Sequence, residues 1–252
     1  MLIDTHAHLN DKIYSKEKLT EILSNMEEDN LEKIITVSYD ELSCYENLNI
    51  AKNNKNVYAA VGVHPDNIVP NLNFLNEFIK EEKVIAIGEI GLDYHYTKEN
   101  KENQIIGFLK QLKLAYENKL PVIIHLRDAY EDMLNLLKEN KELLKYGAVV
   151  HCYSGSLEYA LELIKLGVYI SFTGVITFKN ANKILDVVKN IPLNKVMIET
   201  DCPYLCPEPF RGKINEPKFV NFVFNKICEL RNITKEELSN ILRENVREFF
   251  KI

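Results

Sequence analysis

The sequence predicts a (β/α)8 barrel with a short extra C-terminal helical segment, and three observations carry that reading. Eight short runs rich in β-branched residues alternate with longer amphipathic segments rich in Lys and Glu, the pattern of βα units on a parallel sheet. Eight such units in 252 residues match the size of that barrel, read here as one domain over residues 1–252. The chain also lacks both G-x-G-x-x-G and a P-loop, one of which the rival doubly wound sheet often places after its first strand.

Strand one is read at 2–4 and is followed by a helix near 15–29, where Ser15 before Lys16-Glu17-Lys18 is expected to open a capping box. Strand two, the Ile- and Val-rich 33–38, leads into a helix over 41–54; strand three, 57–63, leads into one over 71–82. Strand four at 84–89 precedes a helix at 100–118, and strand five at 121–125 precedes one at 128–145. Strands six, seven and eight, at 148–152, 168–172 and 195–199, are followed by helices at 156–166, 180–190 and 216–231. A helical tail at 234–250 ends the series, with Thr234 and Glu237 spaced as a capping box.

Composition narrows the function. Apolar residues make up 46% and charged residues 27%, with only 9 Gly and 8 Pro, which excludes collagenous and disordered classes. A net charge of −6 argues against a surface coated for long nucleic acid and leaves room only for a local basic cleft. The longest stretch free of charged residues, 166–178, is shorter than the roughly 18 residues a membrane span needs, so no membrane association is expected. Asp4 stands where an export signal would be basic, and the expected location is cytoplasmic. Five scattered cysteines read as reduced packing thiols, Cys202 and Cys206 included.

The chemistry-bearing side chains gather at the strand ends. His6 and His8 follow strand one, Glu89 closes strand four, His125 closes strand five, His151 lies at the end of strand six and Asp201 follows strand eight. In extended chain His6 and His8 project to one side with Ala7 pointing away. Alone, such a pair reads equally well as two hydrogen-bonded core histidines. Four of only six histidines falling on one rim with two carboxylates breaks the tie, because burying them without a cation leaves lone pairs and charge uncompensated. Six ligands exceed what one four-coordinate ion needs and suit two divalent ions sharing a carboxylate. Mixed imidazole and carboxylate donors suit Zn, Mn, Fe or Ni better than a site reserved for Mg.

The segments Ile3-Asp4-Thr5-His6-Ala7-His8-Leu9, Gly62-Val63-His64-Pro65, Gly88-Glu89-Ile90-Gly91-Leu92-Asp93, His125-Leu126-Arg127, His151-Cys152-Tyr153-Ser154-Gly155 and Glu199-Thr200-Asp201-Cys202-Pro203-Tyr204-Leu205, with Arg211-Gly212-Lys213 and Asn215-Glu216-Pro217, resemble the TatD family of metal-dependent deoxyribonucleases. The match runs in the family's order from residue 3 to residue 217. It implies an amidohydrolase-superfamily barrel that hydrolyses DNA phosphodiesters, taking nucleotides from a 3′ end, with single-stranded DNA or DNA ends as partner and no obligate protein partner. The implied cofactors are two divalent ions, Zn, Mn or Mg. By the same resemblance His6, His8 and Asp201 hold one ion, His125 and His151 the other, and Glu89 bridges. Asp201 and Glu89 are then the catalytic residues, Asp201 as base, while His64, Arg127 and Arg211 approach the substrate phosphate. Cys202 and Ile214 depart from the family pattern, the latter where a basic residue is common, which implies weaker contact with a longer strand.

Spacing alone leaves alternatives open for the last three. His64-Pro65 also reads as a capped turn. Arg127 also reads as an ion pair with Asp128 or Glu131, and Arg211 as part of a solvated loop. Glu199, on the same side of its strand as Asp201 and one layer deeper, is expected to support a ligand. Rival functions are a small-molecule amide, lactone or phosphoester hydrolase of the same superfamily, and a non-catalytic metal-binding barrel.

Overall fold

The computed structural model describes residues 1–95 and 100–252. Eight strands are hydrogen-bonded in the order of the sequence, every neighbouring pair parallel. They are β1 Leu2–Ala7, β2 Leu31–Val37, β3 Val57–Val61, β4 Val84–Asp93, β5 Val122–Arg127, β6 Ala148–Val150, β7 Tyr169–Phe172 and β8 Val196–Ile198. The seam between β8 and β1 is drawn together just past the strand ends. Ala7 bridges Cys202, Asp201 N donates to His6 O at 2.9 Å, and His8 N donates to Cys202 O at 2.8 Å. The fold is a TIM barrel.

Helices alternate with the strands: α1 Lys16–Ser24, α2 Glu41–Asn53, α3 Leu75–Phe78, α4 Lys101–Glu117, α5 Tyr130–Glu139, α6 Leu157–Lys165, α7 Asn182–Asn190, α8 Val220–Arg231 and α9 Lys235–Phe250. Three expectations need correction. The helix expected over 71–82 is a single turn, because Asn71 accepts from the backbone of Asn73, and Asn76 donates to the carbonyl of Asn73, so side chains compete for the groups a helix would pair. The helix expected over 128–145 breaks at Asn140 into α5 and a 3-10 turn, Lys141–Leu144. Ser15 does cap α1 by accepting from Lys18 N, but a lysine at the third helical position removes the acidic half of the capping box. Thr234 caps α9 by accepting from Glu237 N.

Alternation along the strands sorts the core into two layers. Ile34, Ala59, Ile87, Ile124 and Val150 face the helices in a large outer cluster. Ile35, Val37, Ala60, Ala86, Ile123, Val149 and Met197 fill the barrel, where Val246, Phe249 and Phe250 of α9 join them and cover the N-terminal mouth. Asn245 fastens that cover by donating to Leu193 O and Val196 O at 2.8 and 2.7 Å. The opposite, C-terminal mouth carries the polar groups.

Three strands run further than the sequence suggests, β5 by two residues to Arg127. β1 continues to Ala7, so His6 lies within it, and β4 continues to Asp93, so Glu89 sits mid-strand. Beyond Glu89, β4 presses unusually close to β5: a Cβ on Gly91, at φ 154°, would stand 1.9 Å from His125 O. Only glycine fits there.

Candidate metal centre

The first group of side chains is built on the seam. His6 and His8 turn their Nε2 atoms to within 3.3 Å of one another, while Ala7 between them is buried in the outer core. Asp201, held at φ 57° by its bond to His6 O, places Oδ1 3.7 Å from His6 Nε2 and 3.3 Å from His8 Nε2. Glu89 Oε2 reaches in from β4 at 3.5 and 3.8 Å from the same two nitrogens. Ligands bound at about 2.0–2.1 Å in a tetrahedron stand about 3.3–3.4 Å apart, and the five separations above, 3.3–3.8 Å, lie near that spacing.

Glu89 turns its other oxygen to a second group. Oε1 is 2.7 Å from His125 Nδ1 and 2.8 Å from His151 Nε2, and those two nitrogens are 3.3 Å apart. One carboxylate thus faces both groups, one oxygen to each. His64 joins this side, with Nε2 3.7 Å from Oε1 and its ring edge-on to His125.

Three of the rings face an outside group across from the nitrogen that turns inward. His8 Nδ1 donates to Val37 O at 2.9 Å, leaving Nε2 as a lone pair. Asp93 Oδ2 lies 3.0 Å from His125 Nε2, and Glu199 Oε1 lies 3.3 Å from His151 Nδ1. Glu199 is itself fixed, accepting from Cys152 N and Ser171 Oγ at 2.7 and 2.6 Å. Carboxylate or carbonyl behind the ring and lone pair in front is the arrangement that metal-binding imidazoles require. His6 has no such partner, and its Nδ1, like His151 Nδ1 beside Glu199, is buried without a hydrogen bond among the described residues. On β1, Asp4 accepts from Thr200 N, Thr200 Oγ1 and His6 N, tying both sides of the seam together, and burial pushes its carboxyl up to about 8.

The electrostatics favour a cation. Burial pushes the Asp201 and Glu89 carboxyls up, yet the imidazoles around them prevail: His8 and His6 hold Asp201 below the usual range, and His151 and His125 hold Glu89 well below it. Burial opposes charge on the rings as well. Asp201 still lifts His8, Asp93 and Glu89 lift His125, and Glu89 with Glu199 lifts His151 well above the ordinary histidine value. Burial and the neighbouring His151 push His6 down. Buried carboxylates that stay ionised among crowded imidazoles are what divalent ions replace protons on.

All six expected ligand residues therefore converge at one mouth of the barrel. Glu199 stands behind His151 as expected, and His64 lies within the cluster. Asp93 and Asp4 were not anticipated: Asp93 shares the Glu89 face of β4 at a spacing of four, a signal hidden by ending that strand at residue 89, and no local signal marks Asp4. Arg127, half-buried at the end of β5, lines a cavity of about 380 Å³ beside the cluster. Arg211 stays outside the cluster, its guanidinium carbon 4.3 Å above the ring of Phe178.

Known proteins resemble this chain along nearly its whole length. The family described as TatD related DNase matches residues 3–251. An uncharacterized metal-dependent hydrolase of Bacillus subtilis, YabD, is 43% identical over the full length of both chains. Another from Escherichia coli, YcfH, is 34% identical over all of this chain and 96% of its own. The crystal structure of the Escherichia coli TatD homolog YjjV superposes with a TM-score of 0.93 at 33% identity, covering 100% of this chain and 98% of that one. A match over nearly every residue, on a barrel whose mouth gathers imidazoles around a shared carboxylate, places the chain in the TatD-related DNase family of metal-dependent hydrolases.

Proposed function

We propose that the protein hydrolyses phosphodiester bonds of DNA, acting on single strands or ends and releasing nucleotides from a 3′ end. The observation that carries this reading is Glu89, whose two oxygens face two adjoining groups of ligand-type atoms. His6, His8 and Asp201 would hold one divalent ion, His125 and His151 the other, with Glu89 shared; bound there, the ions would lower the pKa of a water and offset charge on the phosphate.

The chain's own groups do the rest. Asp201, slightly open to the cleft, takes the proton of the attacking water on the carboxylate oxygen not turned to the histidines. His64 Nδ1 accepts from Asp66 N at 3.2 Å, so its proton sits on Nε2, and burial drops its pKa to about 4. It is thus a neutral donor aimed at a phosphate oxygen, and the capped turn supplies the tautomer. Arg127 offers a planar fork to two phosphate oxygens. Arg211, its guanidinium over the Phe178 ring, reaches a phosphate further along the strand. No described helix is long and apolar enough to cross a membrane.

The test is elemental analysis of the purified protein, then digestion of a single-stranded oligonucleotide before and after chelation and with zinc, manganese or magnesium restored. Activity should vanish and return with the metal, and Glu89→Gln should lose at least about two orders of magnitude with its fold intact. Metal-replete protein that cleaves cyclic amides or lactones and leaves DNA untouched sinks the proposal.

A further inference from the structure

Two cavities of nearly equal size, about 380 and 370 Å³, meet over the histidine and carboxylate cluster and share His125, His151, Asp201 and Tyr204. Their linings differ in kind. One side is polar, with His8, Tyr39, His64, Asp66 and Asn67. The other is walled by Leu126, Val175 and Leu205, with Cys152, Arg127 and Ser154 among its remaining residues. A substrate held across the cluster therefore meets water-like surroundings on one side and an apolar slot on the other.

The apolar side is built in advance. Val175 stands on the 3-10 turn Gly174–Thr177, whose start is capped by Thr173 Oγ1 accepting from Val175 N. Leu205 comes from the loop after β8, pressed so close to that turn that a Cβ on Gly174 would lie 2.5 Å from Leu205 O. Thr177 Oγ1 donates to Gly174 O and accepts from Glu208 N at 2.6 and 2.9 Å, tying turn and loop together. Tyr204, 47% exposed, stands where the two cavities meet and is steadied by donating its hydroxyl to Asp11 at 2.6 Å.

Resting on the phosphodiesterase reading, we infer that the slot of Leu126, Val175 and Leu205 is a nucleobase subsite, taking the base of the nucleotide whose phosphate lies over the cluster. A nucleobase presents apolar faces and polar edges. The aliphatic walls and the Tyr204 ring suit the faces, and the Ser154 hydroxyl and Arg127 suit the edges. Aliphatic contact with a face common to every base implies tolerance of sequence, not selection of one base.

Three diesters with one leaving group provide the test: methyl 4-nitrophenyl phosphate, thymidine 5′-(4-nitrophenyl phosphate) and thymidine 3′-(4-nitrophenyl phosphate). With metal-replete wild type, kcat/KM for one thymidine ester should exceed that of the methyl ester by about tenfold or more, and that ratio should fall toward one in Val175→Trp and Leu205→Trp, whose folding is checked by thermal melts. Equal kcat/KM for all three in wild type overturns the subsite while leaving the phosphodiesterase reading standing, whatever the variants do. A thymidine preference that survives in both folded variants overturns it too. No hydrolysis of any ester by metal-loaded protein overturns the phosphodiesterase reading, and the subsite with it.

Discussion

Arg127 separates phosphate contact from metal binding at the level of one side chain. Arg127→Lys keeps the charge and loses the fork, so DNA turnover should fall at least about tenfold while metal stoichiometry, read by elemental analysis, stays at its wild-type value. A surface pair with Asp128 or Glu131 would be worth only about 0.3–0.5 kcal/mol, and near-normal turnover in the Lys variant would support that role instead. The proposed ligands also fix a pH dependence. His8, His125 and His151 are raised in the folded protein, so without metal their contribution to stability is complete below the unfolded value near 6.5 and is lost as pH rises through the folded values. Metal must displace those same protons, so affinity should tighten with rising pH and the thermal shift on adding metal should be larger at pH 8.5 than at pH 6, conditions of about that spacing being enough. A shift that shrinks over that interval contradicts the ligand set. The inner ring of this site was legible because histidines two apart on a strand and carboxylates at strand ends are local patterns. Asp4 was not, since its partner Thr200 lies 196 positions away and only the closed barrel brings them together.

Among the elements, β4 carries the heaviest duty, running from the core through Glu89 to Asp93 while passing closest to β5 at Gly91. Gly91→Ala should destabilise by about 3 kcal/mol or more, because the added methyl meets a backbone carbonyl that cannot rotate away. Denaturant unfolding measures it, and a midpoint within error of wild type would mean that the strands separate more easily than their packing implies. Strand centres were readable from Val and Ile runs, whereas the ends were not. Gly91-Leu92-Asp93 breaks the apolar run yet stays extended, because pairing with His125-Leu126-Arg127, not composition, continues it, while Thr5-His6 lies in an irregularity of the β1–β2 ladder that closes again at Ala7. The reverse error at α3 has a local cause: asparagine side chains occupy the backbone groups that apolar periodicity assigned to a helix.

For the whole molecule, counting βα units was enough to give the barrel, and strand-end placement was enough to put the candidate site at its C-terminal mouth. What counting did not reveal is the role of the last helix, which reads from sequence as an appendage and in the structure closes the barrel floor with Val246, Phe249 and Phe250. Deleting residues 235–252 should therefore cost cooperative unfolding: a calorimetric scan should show a broad transition and an apolar dye should bind, whereas a sharp wild-type-like transition would show that the floor closes without it. The seam has a consequence of a different order, in time. His6 and His8 are made before Asp201, and the 192 residues from 9 to 200 lie between His8 and Asp201. A nascent chain on the ribosome thus carries His6 and His8 of the proposed first ion site and awaits Asp201 until the loop after β8 emerges. A centre assembled this way stays incomplete until β8 and the loop after it have been made.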